Sequence, residues 1–305
     1  SVSYDIPHRV RDGYGINERI SEQAKADGVD VILTCDNGIS AVKGINRAVE
    51  LGMTVVITDH HEIPPELPRA SAIINPHQKD DTYPFEYICG AEVAYKFVCQ
   101  LYKHRSVEMR PRKYLDMVAL ATDCDVMPLK DENRIYLREG LKDISDSENI
   151  GLRALVNILG LKGKALSSYH LGFIIGPTLN AAGKLEDAKL ALELLLTEDE
   201  TFAMERAQML RDLNVDRKDE TEQGTERAIK EVRTEIISGD ERAVDKILVV
   251  YIPGTHEGVV GIIAGKLRER FGRPAIVFTD TEANPDIIKG SGRSVESYNM
   301  FEGID

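Results

Sequence analysis

The sequence lacks a paired-cysteine pattern, a long apolar run and an internal repeat, and each absence narrows the class of protein. Its four cysteines lie scattered through 305 residues without a CxxC pair, which is typical of reduced thiols in the cytoplasm. No apolar run is long enough to cross a bilayer, and the first residues show no signal-peptide pattern. We therefore expect a cytoplasmic protein of about two domains without a membrane partner.

Basic residues are also in deficit. The chain has 38 Lys and Arg against 51 Asp and Glu, a net charge of −13. Nucleic-acid-binding proteins usually carry a basic surface, so this charge alone argues against such a partner. Much of the acidity lies in runs typical of solvated helix faces, however, and carboxylates that bind divalent cations would reverse the local field. The charge therefore does not exclude DNA.

Short β-rich runs alternate with helical stretches through the first part of the chain. The apolar runs at 29–36, 54–61 and 71–76 are typical of strands buried on both faces and separated by helices, which predicts a parallel sheet. Ligands gather beyond the carboxyl ends of the strands in such sheets. The polar residues expected at those ends are Asp36, Asn37, Asp59, His60 and His61.

The rest of the chain predicts a helical region followed by a second domain. Residues 90–196 carry mainly helical patterns, a long charged stretch follows, and a strand–helix–strand pattern comes after it. We therefore predict an α/β fold with three parts. A domain with a mainly parallel sheet and a helical insert (1–200) is joined by a connecting helix (201–237) to a second, smaller α/β domain (238–305).

Three motifs place candidate metal ligands just after apolar segments. TCDNG carries Asp36, TDHH carries His60, and ATDCD carries Asp125. Two carboxylates and an imidazole suit Mn²⁺ or Mg²⁺, and a pair of such ions can activate water and stabilise charge on a phosphoryl group. The alternative is that Asp36 only begins a turn and Asp59 only caps the backbone. Adjacent histidines at a strand end have no packing purpose, which favours the metal site.

Three further segments offer groups to an anion. GSGRS (290–294) combines close backbone approach with hydroxyl and guanidinium donors, and HEGVVGIIAGKL (256–267) offers a helix N-terminus. GPTLNAAGKL (176–185) is typical of a loop that leads into a helix. A hairpin turn, a close-packed helix and a helix–helix connection are the respective alternatives. The candidate substrate contacts in these segments are Asn180, Lys184, His256, Ser291, Gly292, Arg293 and Ser294.

Six segments, in their order along the chain, resemble the motifs of the DHH phosphoesterase superfamily, and specifically of the RecJ single-strand exonucleases. They are DNGIS, DHH, DCDVMPL, GPTLNAAGKL, HEGVVGIIAGKL and GSGRS. The resemblance covers nearly the whole chain. DHH alone is a weak signal, whereas the ordered set is specific. HRVRDGYG (8–15), with NAAG and EGVVGI, separates RecJ from the oligoribonuclease, cyclic-dinucleotide phosphodiesterase and inorganic pyrophosphatase branches.

The resemblance implies an enzyme that degrades single-stranded DNA from the 5′ end to mononucleotides, with two Mn²⁺ or Mg²⁺ ions, in recombination and repair. By motif match, Asp36, His60 and Asp125 would bind metal. His61 would face the scissile phosphate, and Asp59 would support the ligands through hydrogen bonds.

The resemblance also implies that Arg9, Ser291 and Arg293 hold the 5′ phosphate, in a groove too narrow for duplex. The loop that usually reads GPRINAAGR has Thr178 and Lys184 in place of its arginines here. A bidentate guanidinium is therefore lost at one site and becomes a point charge at the other, which weakens the DNA contact expected of this loop.

The family carries an Asp-rich motif before HRxxDGYG and an oligonucleotide-binding barrel after the last motif, and this sequence contains neither. We therefore expect the 305-residue chain to bind metal poorly and to be inactive, and its full-length parent to be active. Expected partners are single-stranded DNA, single-strand-binding protein and a helicase, and we expect a monomer.

Three other functions stay open at this point. A related enzyme would act on short RNA or cyclic dinucleotides, a RecJ-like scaffold would have no activity, and a regulatory module would bind nucleotides. The intact Asp36, His60, His61 and Asp125 argue against the scaffold, because a scaffold has no need of them.

Overall fold

The computed structural model describes residues 2–7, 12–13, 15–110, 112–185, 188–238, 246–281 and 286–304. Contacts divide the chain into two compact units. The first comprises Ser1–Leu179 and Ala188–Gln208, and the second comprises Asn180–Asp187 and Met209–Asp305.

The first unit contains a three-stranded parallel sheet. β1 (Val31–Cys35) pairs with β2 (Thr54–Thr58), which pairs with β3 (Ala72–Ile74). α1 (Glu18–Ala26) packs against α2 (Val42–Glu50), and α2 packs against β2. Because the three strands are parallel, the residues that follow them leave at one edge of the sheet. The core here consists of Ile16, Ile45, Ala48, Met53, Val55 and Ile57.

Helices make up the next part of the chain. They are α3 (Gly90–His104), α4 (Leu115–Cys124), α5 (Asp131–Leu141), a 3-10 turn (Ile144–Asp146), α6 (Ile150–Ile158), α7 (Ser168–His170), a π-helix (Leu171–Ile175), α8 (Gly176–Leu185) and α9 (Lys189–Leu196). The loop expected at the start of 176–185 is wrong, because α8 begins at Gly176. Pro177 suits a first helical turn, and the buried Thr178 hydroxyl donates to the carbonyl of Ile174 at 2.7 Å.

The long charged stretch is one helix, α10 (Glu200–Ser238). In the second unit, β4 (Leu248–Tyr251) pairs in parallel with β5 (Ala275–Asp280), and β5 pairs antiparallel with β6 (Ile288–Arg293). α11 (Val260–Phe271) packs on β5 and β6, and α12 is Met300–Ile304. The predicted α/β class is confirmed, whereas the domain boundaries stay a prediction. Among the described residues, no helix is both long and apolar enough to span a bilayer.

Glu92 on α3 is a buried carboxyl whose oxygens have no hydrogen-bond partner among the described residues. Lys96 lies 3.3 Å from it but is held by Glu132 at 2.6 Å. Burial raises the pKa of Glu92 from 4.5 to about 7, against the lowering effect of Lys96. The folded chain thus holds this proton more tightly than the unfolded chain does.

We therefore expect the stability of the fold to fall as the pH rises from about 4.5 to about 7, since the unfolded carboxyl loses its proton first. Glu92→Gln keeps the shape and removes the titration. It should raise the free energy of unfolding by about 3 kcal/mol at pH 8 and by less than about 1 kcal/mol at pH 5. Urea unfolding at both pH values tests this, with the exposed Glu108→Gln as control. An equal change at both pH values would contradict it.

Candidate metal site at the strand ends

The carboxyl ends of β1, β2 and β3 bring the predicted polar residues to one edge of the sheet. Asp36 follows β1 directly, and its N–H donates to the carbonyl of Thr58 at 3.0 Å. Asp59 follows β2, and its N–H donates to the carbonyl of Ile74 at 3.0 Å. Asn75 follows β3, is buried, and donates from Nδ2 to the carbonyl of His61 at 2.9 Å. The backbone of each strand end is therefore fixed by its neighbour.

The turn expected after β1 is present, and Asp36 lies in its left-handed position with φ of 61°. This conformation is uncommon for residues other than glycine, although aspartate tolerates it better than most. Gly38 follows with φ of 115°, where a Cβ atom would lie 2.7 Å from Thr34 Oγ1. The turn thus requires glycine at 38.

Two carboxylates converge on His60. Its Nε2 lies 3.1 Å from Asp36 Oδ1 and 3.4 Å from Asp125 Oδ2, and its side chain is only 10% exposed. Adjacent ligands of an octahedral ion with bonds of about 2.1 Å lie about 3.0 Å apart. The spacing and the oxygen–nitrogen donor set therefore fit Mn²⁺ or Mg²⁺.

His60 holds a proton more tightly here than a free imidazole does. The hydrogen bond to Asp36 raises the pKa of His60 against the opposing effect of burial, and Asp125 adds to the rise. Burial raises the pKa of Asp125, and the nearby His60 opposes that rise. A metal ion must displace this proton, because histidine binds metal in its neutral form.

Asp125 follows the last residue of α4, and Val126 comes next with φ of 58° and its side chain almost fully exposed. A β-branched residue in the left-handed region is strained. Such strain clusters at functional sites.

Asp59 is the buried anchor of the site, only 1% exposed. Its Oδ2 accepts the N–H of Ile39 at 2.9 Å, and its Oδ1 accepts the N–H groups of His60 at 2.8 Å and His61 at 3.2 Å. Oδ1 also lies 2.7 Å from His61 Nδ1. Burial alone would raise the pKa of Asp59, but the hydrogen bonds from Ile39, His61 and His60 outweigh it and lower the pKa. Asp59 is therefore an ionised acceptor.

The ionised Asp59 fixes the tautomer of His61. A carboxylate can only accept, so His61 Nδ1 donates and Nε2 is left for a ligand. The His61 side chain is more than half exposed, and its ring centroid lies 4.7 Å from that of His60. Ligand atoms of Asp36, His60 and His61 all lie within 4.8 Å of one another.

Gly90, the first residue of α3, lies against Asp36 and was not selected from the sequence. A Cβ atom on Gly90 would lie 2.5 Å from Asp36 Cβ, which is fixed to the backbone and cannot rotate away. The α3 N-terminus, with its partial positive charge, thus adjoins this carboxylate. The sequence indicates this contact only by a glycine at the first position of a helix, and that signal is weak by itself.

We expect Gly90→Ala to displace Asp36 and to lower the Mn²⁺ affinity by about tenfold or more, as loss of support for a ligand does elsewhere. Gly265→Ala on α11 is the matched control, because a Cβ atom there meets nothing within 4 Å. Calorimetric Mn²⁺ titration of both variants tests this. Unchanged affinity in Gly90→Ala would show that the contact with Asp36 is unimportant.

The anion-binding candidates of β6 lie beside α11. A Cβ atom on Gly261 would lie 2.9 Å from Ser291 Oγ and 3.0 Å from Arg293 Nη2, so both side chains meet the first turn of α11. The GSGR residues lie within β6, so the alternative of a hairpin turn is wrong. Gly292 stands between Ser291 and Arg293 on the same strand, and the hydroxyl of Ser294 donates to the Tyr298 carbonyl.

The remaining candidates are more dispersed. His256 Nδ1 accepts the N–H of Gly258 at 3.0 Å, and Gly258 lies against the carbonyl of Lys184. Asn180 is exposed on α8. Arg9 lies outside the described residues, so its predicted phosphate contact stays a prediction.

Comparisons with known proteins agree with this geometry. Residues 1–122 match the DHH family, N-terminal domain, and residues 245–305 match the DHHA1 domain. A crystal structure of exonuclease RecJ bound to manganese aligns with 98% of this chain and 72% of its own, with a TM-score of 0.82 and 30% identity. The chain belongs to the RecJ family.

Other RecJ proteins are similar along the whole chain. The single-stranded-DNA-specific exonuclease RecJ of Bacillus subtilis is 39% identical over 99% of this chain, and that of Escherichia coli is 36% identical over 100%. The chain spans 37% and 54% of their respective lengths. A RecJ structure from Thermus thermophilus in complex with Mn²⁺ aligns with 91% of this chain and 39% of its own, with a TM-score of 0.74 and 30% identity. The RecJ resemblance seen in the motifs is confirmed.

Proposed function

We propose that the chain is the catalytic core of a nuclease that hydrolyses single-stranded DNA from the 5′ end to mononucleotides, using Mn²⁺ or Mg²⁺, in recombination and repair. The observation that carries this proposal is the position of His60 Nε2, 3.1 Å and 3.4 Å from the carboxylates of Asp36 and Asp125. The names of the relatives, single-stranded-DNA-specific exonucleases, support the substrate. RecJ structures that contain Mn²⁺ or Mg²⁺ support the metal.

Asp36, His60 and Asp125 would hold the ion, since their donor atoms and spacing fit it. The bound ion supplies Lewis acidity, which activates water and stabilises the negative charge that develops on the phosphoryl group. Two ions are proposed for the full-length protein. Asp36, His60 and Asp125 would provide ligands for one of them.

The role proposed for His61 follows from its contact with Asp59. With Nδ1 donating to Asp59 at 2.7 Å, the ring is held in one orientation and Nε2 points away from the carboxylate. In this orientation Nε2 of His61 would face the scissile phosphate. Asp59 acts through the ring of His61 and through the backbone N–H groups of His60 and His61.

In the second unit, we assign phosphate binding to Ser291 and Arg293, which lie at the first turn of α11. For Arg9, phosphate binding is proposed from the motif resemblance alone. The further contacts that we propose for the DNA strand are Asn180, Lys184, His256, Gly292 and Ser294.

The experiment uses the full-length gene product that contains this chain, with Mn²⁺ and strands labelled at the 5′ or the 3′ end. Rapid release of mononucleotides from the 5′ end of single-stranded DNA is expected. Asp36→Asn and His61→Ala should abolish the release, whereas the exposed Asp30→Asn should not change it. Duplex DNA should resist.

Other outcomes of this assay would support a different function. Cleavage confined to short RNA or cyclic dinucleotides would favour the related phosphodiesterases, and no cleavage of any substrate would favour a scaffold. We further propose a cytoplasmic monomer that works with single-strand-binding protein and a helicase. Co-purification and light scattering test that part separately.

A further inference from the structure

Two aromatic rings stack on each other at the surface of the first unit. The ring centroids of Tyr169 and Phe173 lie 5.3 Å apart with an interplanar angle of 21°, and the side chains are 61% and 69% exposed. Exposed aromatic rings usually pack their faces against neighbouring side chains. This pair, which we call the aromatic pair, instead leaves most of its surface to solvent.

The segment that carries the aromatic pair is anchored to α4, the helix that ends next to Asp125. Ser168, next to Tyr169, donates its hydroxyl to the carboxylate of Asp123. Cys124 Sγ donates to the carbonyl of Leu171 at 3.6 Å, at the start of the π-helix that carries Phe173. Both contacts reach the last turn of α4, immediately before Asp125. α7, which carries Tyr169, and the π-helix, which carries Phe173, are therefore tied to the end of α4 that precedes the proposed metal ligand.

The segment that carries the aromatic pair is free of acidic residues in an acidic protein. The chain has 51 Asp and Glu in 305 residues, yet none lies between Glu148 and Glu186. Lys162 and Lys164 precede the pair and are exposed. Neither ammonium makes an ion pair with any other residue that the structure describes. The segment therefore carries positive charge of its own, and the carboxylate that contacts it, that of Asp123, belongs to α4.

We propose that the aromatic pair stacks on the bases of a single-stranded nucleic acid, while Lys162 and Lys164 contact its phosphates. The inference rests on the proposed nuclease function and adds a way in which the substrate is selected. Stacking on an aromatic ring is sequence-tolerant, because every base has a π-face. Bases in a duplex are already stacked on each other, so the pair binds single strands and contributes to their selection. A docked protein is the competing occupant, and unchanged oligothymidylate binding in Phe173→Ala would favour it.

The test measures binding without cleavage, by fluorescence anisotropy in EDTA. The two probes are a labelled oligothymidylate and an abasic strand of the same length, which has the same phosphates and no bases. Phe173→Ala in the full-length protein should weaken binding of the oligothymidylate by about 5- to 100-fold and leave binding of the abasic strand unchanged. Phe173→Trp should restore binding, and the exposed Tyr4→Ala is the matched control.

The lysines give an independent readout. Replacing both Lys162 and Lys164 with alanine should weaken binding of both strands and reduce the slope of log affinity against log salt concentration by about 1.4. Thermal unfolding checks that the exposed substitutions leave the fold intact.

Three results would overturn the proposal. They are unchanged oligothymidylate binding in Phe173→Ala, an equal loss for the oligothymidylate and the abasic strand, and failure of Phe173→Trp to restore binding. In each of these the parent protein still binds single strands, so the proposed function survives. A parent that binds neither strand contradicts the stacking role and the proposed function together.

Discussion

His60→Ala is expected to lower the Mn²⁺ affinity of the full-length protein by about 100-fold or more and to abolish hydrolysis of single-stranded DNA. Loss of a supporting group alone costs about 10- to 100-fold in metal affinity, and His60 is placed as a direct ligand. Its removal also leaves Asp36 and Asp125 to face each other without the positive or neutral group between them. Repulsion between two carboxylates then favours protonation of one of them.

Isothermal titration with Mn²⁺ and a nuclease assay measure the two effects in parallel. His104→Ala is the matched control, because this histidine lies exposed in the last turn of α3, far along the helix from Gly90. The control should bind metal and cleave DNA as the parent does. Retention of affinity within threefold in His60→Ala would remove His60 from the ligand set.

Asp59→Asn is expected to lower the free energy of unfolding by about 3 kcal/mol, because it leaves a buried donor facing another donor. Both oxygens of Asp59 accept hydrogen bonds, one from the N–H of Ile39 and the other from the backbone of His60 and His61 and the ring of His61. An amide has only one oxygen, so one set of N–H groups must lose its acceptor. One orientation of the amide leaves the N–H of Ile39 without an acceptor, and the other leaves the loop that carries His60 and His61 without one.

The measurement is urea unfolding of Asp59→Asn beside Asp30→Asn, which makes the same chemical change at an exposed position. We expect nuclease activity to fall with the stability of Asp59→Asn, at a temperature where the variant is still folded. A loss below about 0.5 kcal/mol, the range of ordinary surface substitutions, would contradict the role of Asp59 as anchor.

The grouping of Asp36, His60 and Asp59 could be predicted from the sequence. Their segments are apolar, rich in β-branched residues and separated by helices, and parallel strands necessarily end at one edge of a sheet. The convergence of Asp125 with them required the motif resemblance. It depends on how α4 packs against the sheet, which local periodicity does not encode.

Other features could not be predicted because they depend on tertiary contacts. The glycine at 90 is required by the approach of Asp36 Cβ, an atom from a different part of the chain. The residues GSGR look like a turn by composition, yet pairing with β5 makes them a strand. The π-helix at Leu171–Ile175 arises where this segment packs on the end of α4, so a pattern of ordinary helical spacing could not reveal it.

The most direct test of the proposed metal ligands is anomalous diffraction from crystals of the full-length protein grown with Mn²⁺. We expect an anomalous peak within about 2.3 Å of Asp36, His60 and Asp125, and no such peak in crystals of His60→Ala. A well-ordered site without a peak, or a peak that lies only at other residues, would contradict the claim that these three side chains hold the ion.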